Sequence, residues 1–135
     1  MNNRTIEGGY LCGAIRYRAT AGPQGRTLCH CESCRRAAGA PTVAWVIFPA
    51  DGFAIVAGAP REHRSSQHVV RSFCGDCGTP LLYRSDRRSD VVDVPTATLD
   101  DPESFAPERE IWTGEKLAWE TVNGALPQYP RSSKG

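Results

Sequence analysis

LCHCESCRRAAG, from Leu28 to Gly39, places Cys29, Cys31 and Cys34 within six residues, with His30 between the first two. Three thiolates this close converge on one metal ion if the chain turns after Cys31. Three protein donors with one open position is the pattern of catalytic zinc, whereas structural zinc is usually closed by four. His30 would add a fourth donor only from the same side of the chain as the sulfurs. On an extended segment alternate side chains face opposite ways, so with Cys29 and Cys31 inward, His30 points away. It reads as a surface or packing histidine.

Downstream, Cys74-Gly75-Asp76-Cys77-Gly78 is a CxxCG knuckle. Thiolates at i and i+3 grip one zinc ion at about 2.3 Å each. The glycines allow the tight turn and let backbone N–H groups approach the sulfurs. A lone CxxC is also a redox dithiol, but the glycine flanks and four further cysteines favour metal. Cys12, in Tyr10-Leu11-Cys12-Gly13, is either a small buried hydrophobe or a third ligand for the knuckle. Two closed all-cysteine sites need four thiolates each, and the chain has six cysteines. Either one site is closed and two cysteines are spare, or two sites take three each. Local spacing favours Cys29, Cys31 and Cys34 as one set, leaving Cys12, Cys74 and Cys77 as the other.

The 135 residues fit one domain spanning 1–135. Hydrophobic residues at 40% and charged residues at 23% are ordinary globular usage. A net charge of +1 calls for neither nucleic acid nor an anionic membrane as partner. The start, MNNRTIEGG, has no apolar signal core. No stretch reaches the roughly 18 apolar residues that span a bilayer. The expectation is a cytoplasmic protein with reduced thiols. Cys29 and Cys31 are also too close for an easy unstrained bridge. Nothing in the sequence sets the oligomeric state.

The pattern is one of short strands between turn residues. Leu11 to Arg18 nearly alternates after Gly13, and Thr42 to Phe48 is a continuous apolar run that predicts a buried strand. Asp51-Gly52 predicts a hairpin turn into Phe53 to Ala57. Val69 to Phe73 and Pro80 to Tyr83 are strands flanking the knuckle. Ser85 to Asp90 reads as a solvated loop, Val91 to Val94 and Ala97 to Leu99 as strand, and Glu110 to Thr113 as a last strand. Helix is expected over Glu32 to Ala38, stopped by Gly39 and Pro41, and for one or two turns over Lys116 to Val122. The polar tail Arg131 to Gly135 reads as frayed. Trp45, Trp112 and Trp119 read as core residues rather than pocket walls. His63 and His68 have no evident partner.

Taken together, the motifs resemble the glutathione-dependent formaldehyde-activating enzyme family, which shares its domain with centromere protein V. The matching residues are Gly8-Gly9-Tyr10-Leu11-Cys12-Gly13-Ala14-Ile15-Arg16-Tyr17, then Cys29-His30-Cys31-x-x-Cys34-Arg35 with Gly39-x-Pro41, then Phe73-Cys74-x-x-Cys77-Gly78-Thr79-Pro80-Leu81. Ile111-Trp112, Leu117-x-Trp119 and Leu126-Pro127 also fit, so the likeness runs from about Glu7 to Arg131. It implies a mainly β chain with a β-tent fold, in which small antiparallel sheets carry zinc-binding cysteine loops. It implies up to two zinc ions: a structural one on the N-terminal CxC and the later CxxC, and a second on Cys29, Cys31 and Cys34. It implies addition of formaldehyde to the glutathione thiol, a carbon–sulfur lyase in reverse. Cys29, Cys31 and Cys34 are then the catalytic set, glutathione or another small thiol the co-substrate, and an aldehyde its partner. The ion on these three is expected to be the more labile.

The chain departs from the family at Tyr10, where CxCG would place a cysteine. One thiolate is missing from the structural site. A water, a borrowed thiolate such as Cys29, or a nearby side chain would complete it. Tyr10 is a poor substitute because a phenol's pKa is about 10, and it reads as aromatic packing. Arg35, Arg36 and Arg71 are candidates to hold a glutathione carboxylate, against the plainer reading that they are solvated or screen thiolate charge. The shared domain equally permits a non-catalytic, zinc-stabilised binding module, since fold alone does not set substrate.

Overall fold

The computed structural model describes residues 5–133. Within them the chain forms, in order, β1 (Ile6–Gly9), β2 (Arg16–Ala19), β3 (Gly25–Cys29), α1 (Glu32–Ala38), β4 (Val43–Pro49), β5 (Phe53–Ala57), β6 (Arg61–Arg64), β7 (Val69–Phe73), β8 (Pro80–Ser85), β9 (Val91–Pro95) and β10 (Arg109–Ile111). The fold is mainly β. Three strands make a sheet in the order β1-β2-β5, and seven make a second in the order β10-β3-β4-β9-β8-β7-β6. All the pairings are antiparallel except β10 on β3, which is parallel.

The apolar run at 43–49 gives β4 a place in the interior, with β3 on one edge and β9 on the other. Asp51-Gly52 does turn the chain, Gly52 taking a φ of 91° that favours glycine. The expected β4–β5 hairpin does not form, however. A strand has two hydrogen-bonding edges, and both edges of β4 are already taken. β5 instead pairs with β2 in the smaller sheet. Tyr17, Phe48 and Phe53 join the two sheets, with ring centroids 5.4 Å apart for Tyr17 and Phe53 and 6.3 Å for Phe48 and Phe53. Around them Val46, Leu81, Leu82, Val92, Val94 and Leu99 are buried.

Four expectations fail for local reasons. Ala97 to Leu99 is not strand. After Pro95, Thr98 Oγ1 donates back to the Pro95 carbonyl at 2.8 Å and the chain makes a 3-10 turn over Thr96–Thr98. Lys116 to Val122 is not helix, and the Lys116 ammonium bonds the carbonyls of Leu117 and Glu120 at 3.1 and 2.8 Å. Trp119 is 71% exposed rather than core. His68 has partners: Nδ1 lies 2.8 Å from Asp86 Oδ1, and Nε2 lies 2.9 Å from Arg87 Nη2. β3 and β6 carry little apolar alternation, and β6 is polar and exposed throughout, so neither announces itself in sequence. The frayed tail falls partly outside the described residues, at 134–135. No helix among the described residues is long and apolar enough to cross a membrane.

Candidate metal centres

The end of β3, the start of α1 and the turn between them bring Cys29, Cys31 and Cys34 together, with their sulfurs all within 4.8 Å of one another. Tetrahedral zinc with sulfur at 2.3 Å sets neighbouring sulfurs about 3.8 Å apart, so small side-chain movements admit an ion. Register fixes Cys29 opposite Val43, and Thr42 Oγ1 donates to the Cys29 carbonyl at 2.9 Å. Cys31 is extended, at φ −67° and ψ 152°, and caps α1 with its sulfur, which accepts from the Cys34 N–H at 3.3 Å. Gly39 ends the helix in the left-handed conformation, φ 65°, donating to the Arg35 carbonyl at 2.8 Å. The predicted helix therefore has its predicted bounds.

This triad is walled in. Cys29 and Cys34 are buried and Cys31 half-buried. Val43 and Trp45 are buried with them, and Tyr83, Ile111 and Trp112 pack against the group. Trp112 holds a left-handed φ of 57°, a conformation uncommon for a bulky residue. Arg71 reaches in from β7. Its Nη2 is 4.0 Å from Cys34 Sγ, and its guanidinium lies 4.9 Å over the Tyr83 ring. The thiols share protons unequally. Hydrogen bonds from Cys29 and Cys34 hold Cys31 far below the usual thiol range, and the Arg71 charge adds to this. Its bonds to Cys31 and Cys34, and then burial, push Cys29 up.

His30 takes no part in the triad. It is a packing histidine, wholly buried. Its Nε2 lies 2.6 Å from Glu110 Oε1, and its backbone N–H donates to the Ile111 carbonyl at 3.1 Å. The other Glu110 oxygen accepts from the Asn123 N–H and from Gln128 Nε2. Burial works against the Glu110 carboxylate, yet these bonds hold it below the usual range. No sequence signal marked Glu110 beyond its place in a short strand.

Of the arginine candidates, the structure brings Arg71 alone to the sulfurs. Arg35 donates from Nε to the His30 carbonyl and from Nη2 to the Glu115 carbonyl, each at 3.3 Å, tying α1 to the turn at Thr113–Glu115. Arg36 pairs with Glu32 at 2.8 Å on the surface. Both border an open groove of 310 Å³ shared with Pro41 and Trp119. Tyr83, unmarked in sequence, supplies the ring that seats Arg71.

The second group is Cys12, Cys74 and Cys77, again with sulfurs within 4.8 Å. Cys12 Sγ is 3.6 Å from Cys74 Sγ, a separation suited to two ligands of one ion. Backbone N–H groups approach the sulfurs as the glycines predicted: those of Asp76 and Cys77 donate to Cys74 Sγ at 3.4 and 3.5 Å, and that of Ala14 to Cys12 Sγ at 3.5 Å. The Thr79 hydroxyl, 3.1 Å from Cys77 Sγ, pulls that thiol down to about 6. Cys12 is exposed, so it is not a small buried hydrophobe. Cys29 stands with the other triad, so it is not lent to this one. Tyr10 is buried in the core, as expected of a packing residue. Burial, then the nearby Cys74 and Cys77 thiols, push its hydroxyl up, away from phenolate.

Comparison with known proteins agrees with this geometry. A family profile described as glutathione-dependent formaldehyde-activating enzyme matches residues 5–115. No curated protein matches the chain. A crystal structure of a Rhodobacter sphaeroides protein is similar over 91% of this chain and 98% of its own, with a TM-score of 0.59 at 18% identity. That likeness is one of fold.

Proposed function

The chain belongs to the glutathione-dependent formaldehyde-activating enzyme family, and from that premise we propose a zinc-dependent carbon–sulfur lyase-like protein. It would join a small thiol, glutathione or a relative, to formaldehyde or a related aldehyde, and split the adduct in reverse. The observation that carries this reading is the walled Cys29/Cys31/Cys34 triad with Arg71 Nη2 4.0 Å from Cys34 Sγ. These three cysteines would hold the ion. Bound zinc lowers the pKa of a thiol and polarises a carbonyl.

The chain's own residues do the rest. Arg71 offers a guanidinium to the anionic sulfur or a carboxylate of the thiol substrate. Trp45, Tyr83 and Trp112 keep water from the reacting atoms, which strengthens that charge. The substrate thiolate sulfur attacks the aldehyde carbon and a C–S bond forms. The C=O π pair moves to oxygen, which takes up the proton the thiol released. Arg35 Nε and Nη2 are bonded to backbone carbonyls at the edge of the groove shared with Pro41 and Trp119.

The test is NMR exchange between formaldehyde and glutathione. The expected result is faster exchange than without protein, lost in Cys31→Ser and weakened in Arg71→Ala. No acceleration with glutathione or any other small thiol would leave the non-catalytic, zinc-stabilised module as the better reading.

A further inference from the structure

The knuckle centre holds three donors where zinc takes four. The cluster there is Cys12, Cys74 and Cys77 alone among the His, Cys, Asp and Glu side chains of the described residues. Tyr10, two residues before Cys12, is packed into the core cluster with Ile15 and Tyr17. Thr79 Oγ1 already contacts Cys77 Sγ and accepts from the Leu11 N–H at 3.4 Å. A neutral hydroxyl so engaged is a weak donor to zinc beside thiolates.

Solvent reaches this centre from the Cys12 side. Cys12 is exposed, and Leu11 beside it is 88% exposed. A cation also flanks the knuckle. The Arg61 side chain lies across Gly75, its Cδ 2.6 Å from where a Cβ would stand. No carboxylate pairs with Arg61 among the described residues. The opposing charge nearby is Asp76, which is exposed. Three thiolates overbalance a divalent ion and a fourth adds more negative charge, so a free guanidinium at this position favours an anionic fourth donor.

We propose that Cys12, Cys74 and Cys77 hold one zinc ion whose fourth donor comes from solution, and that a small thiol takes this place beside Arg61. This is a second, solvent-facing thiol site, separate from the Cys29/Cys31/Cys34 reaction. It also reverses the expected order of lability. The exposed knuckle ion exchanges faster than the ion enclosed by Trp45, Tyr83 and Trp112.

Cadmium-113 NMR of the cadmium-loaded protein tests this independently of turnover. The resonance missing from Cys12→Ser belongs to the knuckle. Adding 2-mercaptoethanol should move that resonance towards the four-sulfur range. The movement should be absent in Thr79→Cys, where a new sulfur beside Cys77 fills the fourth place in advance. Arg61→Glu, on an exposed strand away from the core, should raise the thiol concentration at half-shift about two- to fivefold. A knuckle resonance in the four-sulfur range before any thiol is added overturns the proposal, and so does one that thiol leaves unmoved. Formaldehyde exchange can fail or succeed without altering either outcome.

Discussion

His30 Nε2 lies 2.6 Å from Glu110 Oε1, and neither side chain reaches solvent. Glu110 stands in β10, and His30 follows directly on Cys29, the last residue of β3, with β10 laid parallel beside that end of the strand. Through its second oxygen Glu110 also holds the backbone of Asn123. The pair thus fastens the C-terminal segment to the strand that ends in Cys29.

Removing Glu110 should therefore be costly. Glu110→Ala leaves the buried His30 ring with no partner at either nitrogen, since Nδ1 already has none. The expected loss is about 3–5 kcal/mol, against about 1–3 kcal/mol for Glu110→Gln, which keeps the shape and one acceptor. Urea unfolding measures both. A Glu110→Ala protein within about 0.5 kcal/mol of wild type would show that the pair carries no weight.

Arg71 should be read out by thiol reactivity. Its charge works against the rise that Cys31 and burial impose on the Cys34 thiol, so removing it raises that pKa further and lowers the Cys34 thiolate fraction at a given pH. In zinc-free protein, Arg71→Ala should slow iodoacetamide alkylation of this triad about three- to tenfold near neutral pH. Arg71→Lys should recover part of the loss. Equal rates in all three proteins would remove Arg71 from the site.

Asp93 gives a pH-dependent prediction. Burial pushes its carboxyl up, and Arg88, at 3.1 and 3.4 Å, pulls it partly back. A carboxyl whose folded pKa lies above the unfolded one binds its proton more tightly when folded. Its ionised form costs stability at neutral pH, and that cost disappears as pH falls through the raised pKa. Arg88→Ala should cost about 1–3 kcal/mol at pH 7, because it strands the buried charge. The gap from wild type should narrow on acidification, starting above the ordinary carboxylate range. A gap that stays constant down to that range would contradict this account.

Metal removal should separate the two centres. Cys12→Ser and Cys31→Ser should each lose one of two zinc ions, measured by metal analysis after purification without added zinc. Each saturated ion should stabilise the fold by about 4 kcal/mol at free zinc roughly a thousandfold above its Kd. Chelation should therefore lower the Tm of each variant less than that of wild type. A Cys31→Ser protein that keeps both ions would refute the second centre.

Features governed by near neighbours were legible in the sequence. The bounds of α1 follow from a capping sulfur at Cys31 and a left-handed glycine at Gly39, both adjacent in the chain. The knuckle between β7 and β8 follows from CxxCG spacing. Counting donors left two divisions of the six cysteines open, local spacing favoured two triads, and the sulfurs assemble in those sets. Polar β6 escaped notice because an exposed edge strand needs no apolar face.

Tertiary structure alone decided which remote groups meet. The sequence made Arg35 and Arg71 equal candidates, but sheet order puts β7 and β8 where Arg71 lies over Tyr83 and against Cys34, while Arg35 turns to the backbone of His30 and Glu115. The sequence asked whether His30 was a surface or a packing histidine, and Glu110, far along the chain, answered it. It predicted a β4–β5 hairpin that the occupied edges of β4 forbid. Turn chemistry and ligand spacing act over a few residues and are written locally. Strand order is a competition for a limited number of hydrogen-bonding edges across the whole chain, and only the folded sheet settles it.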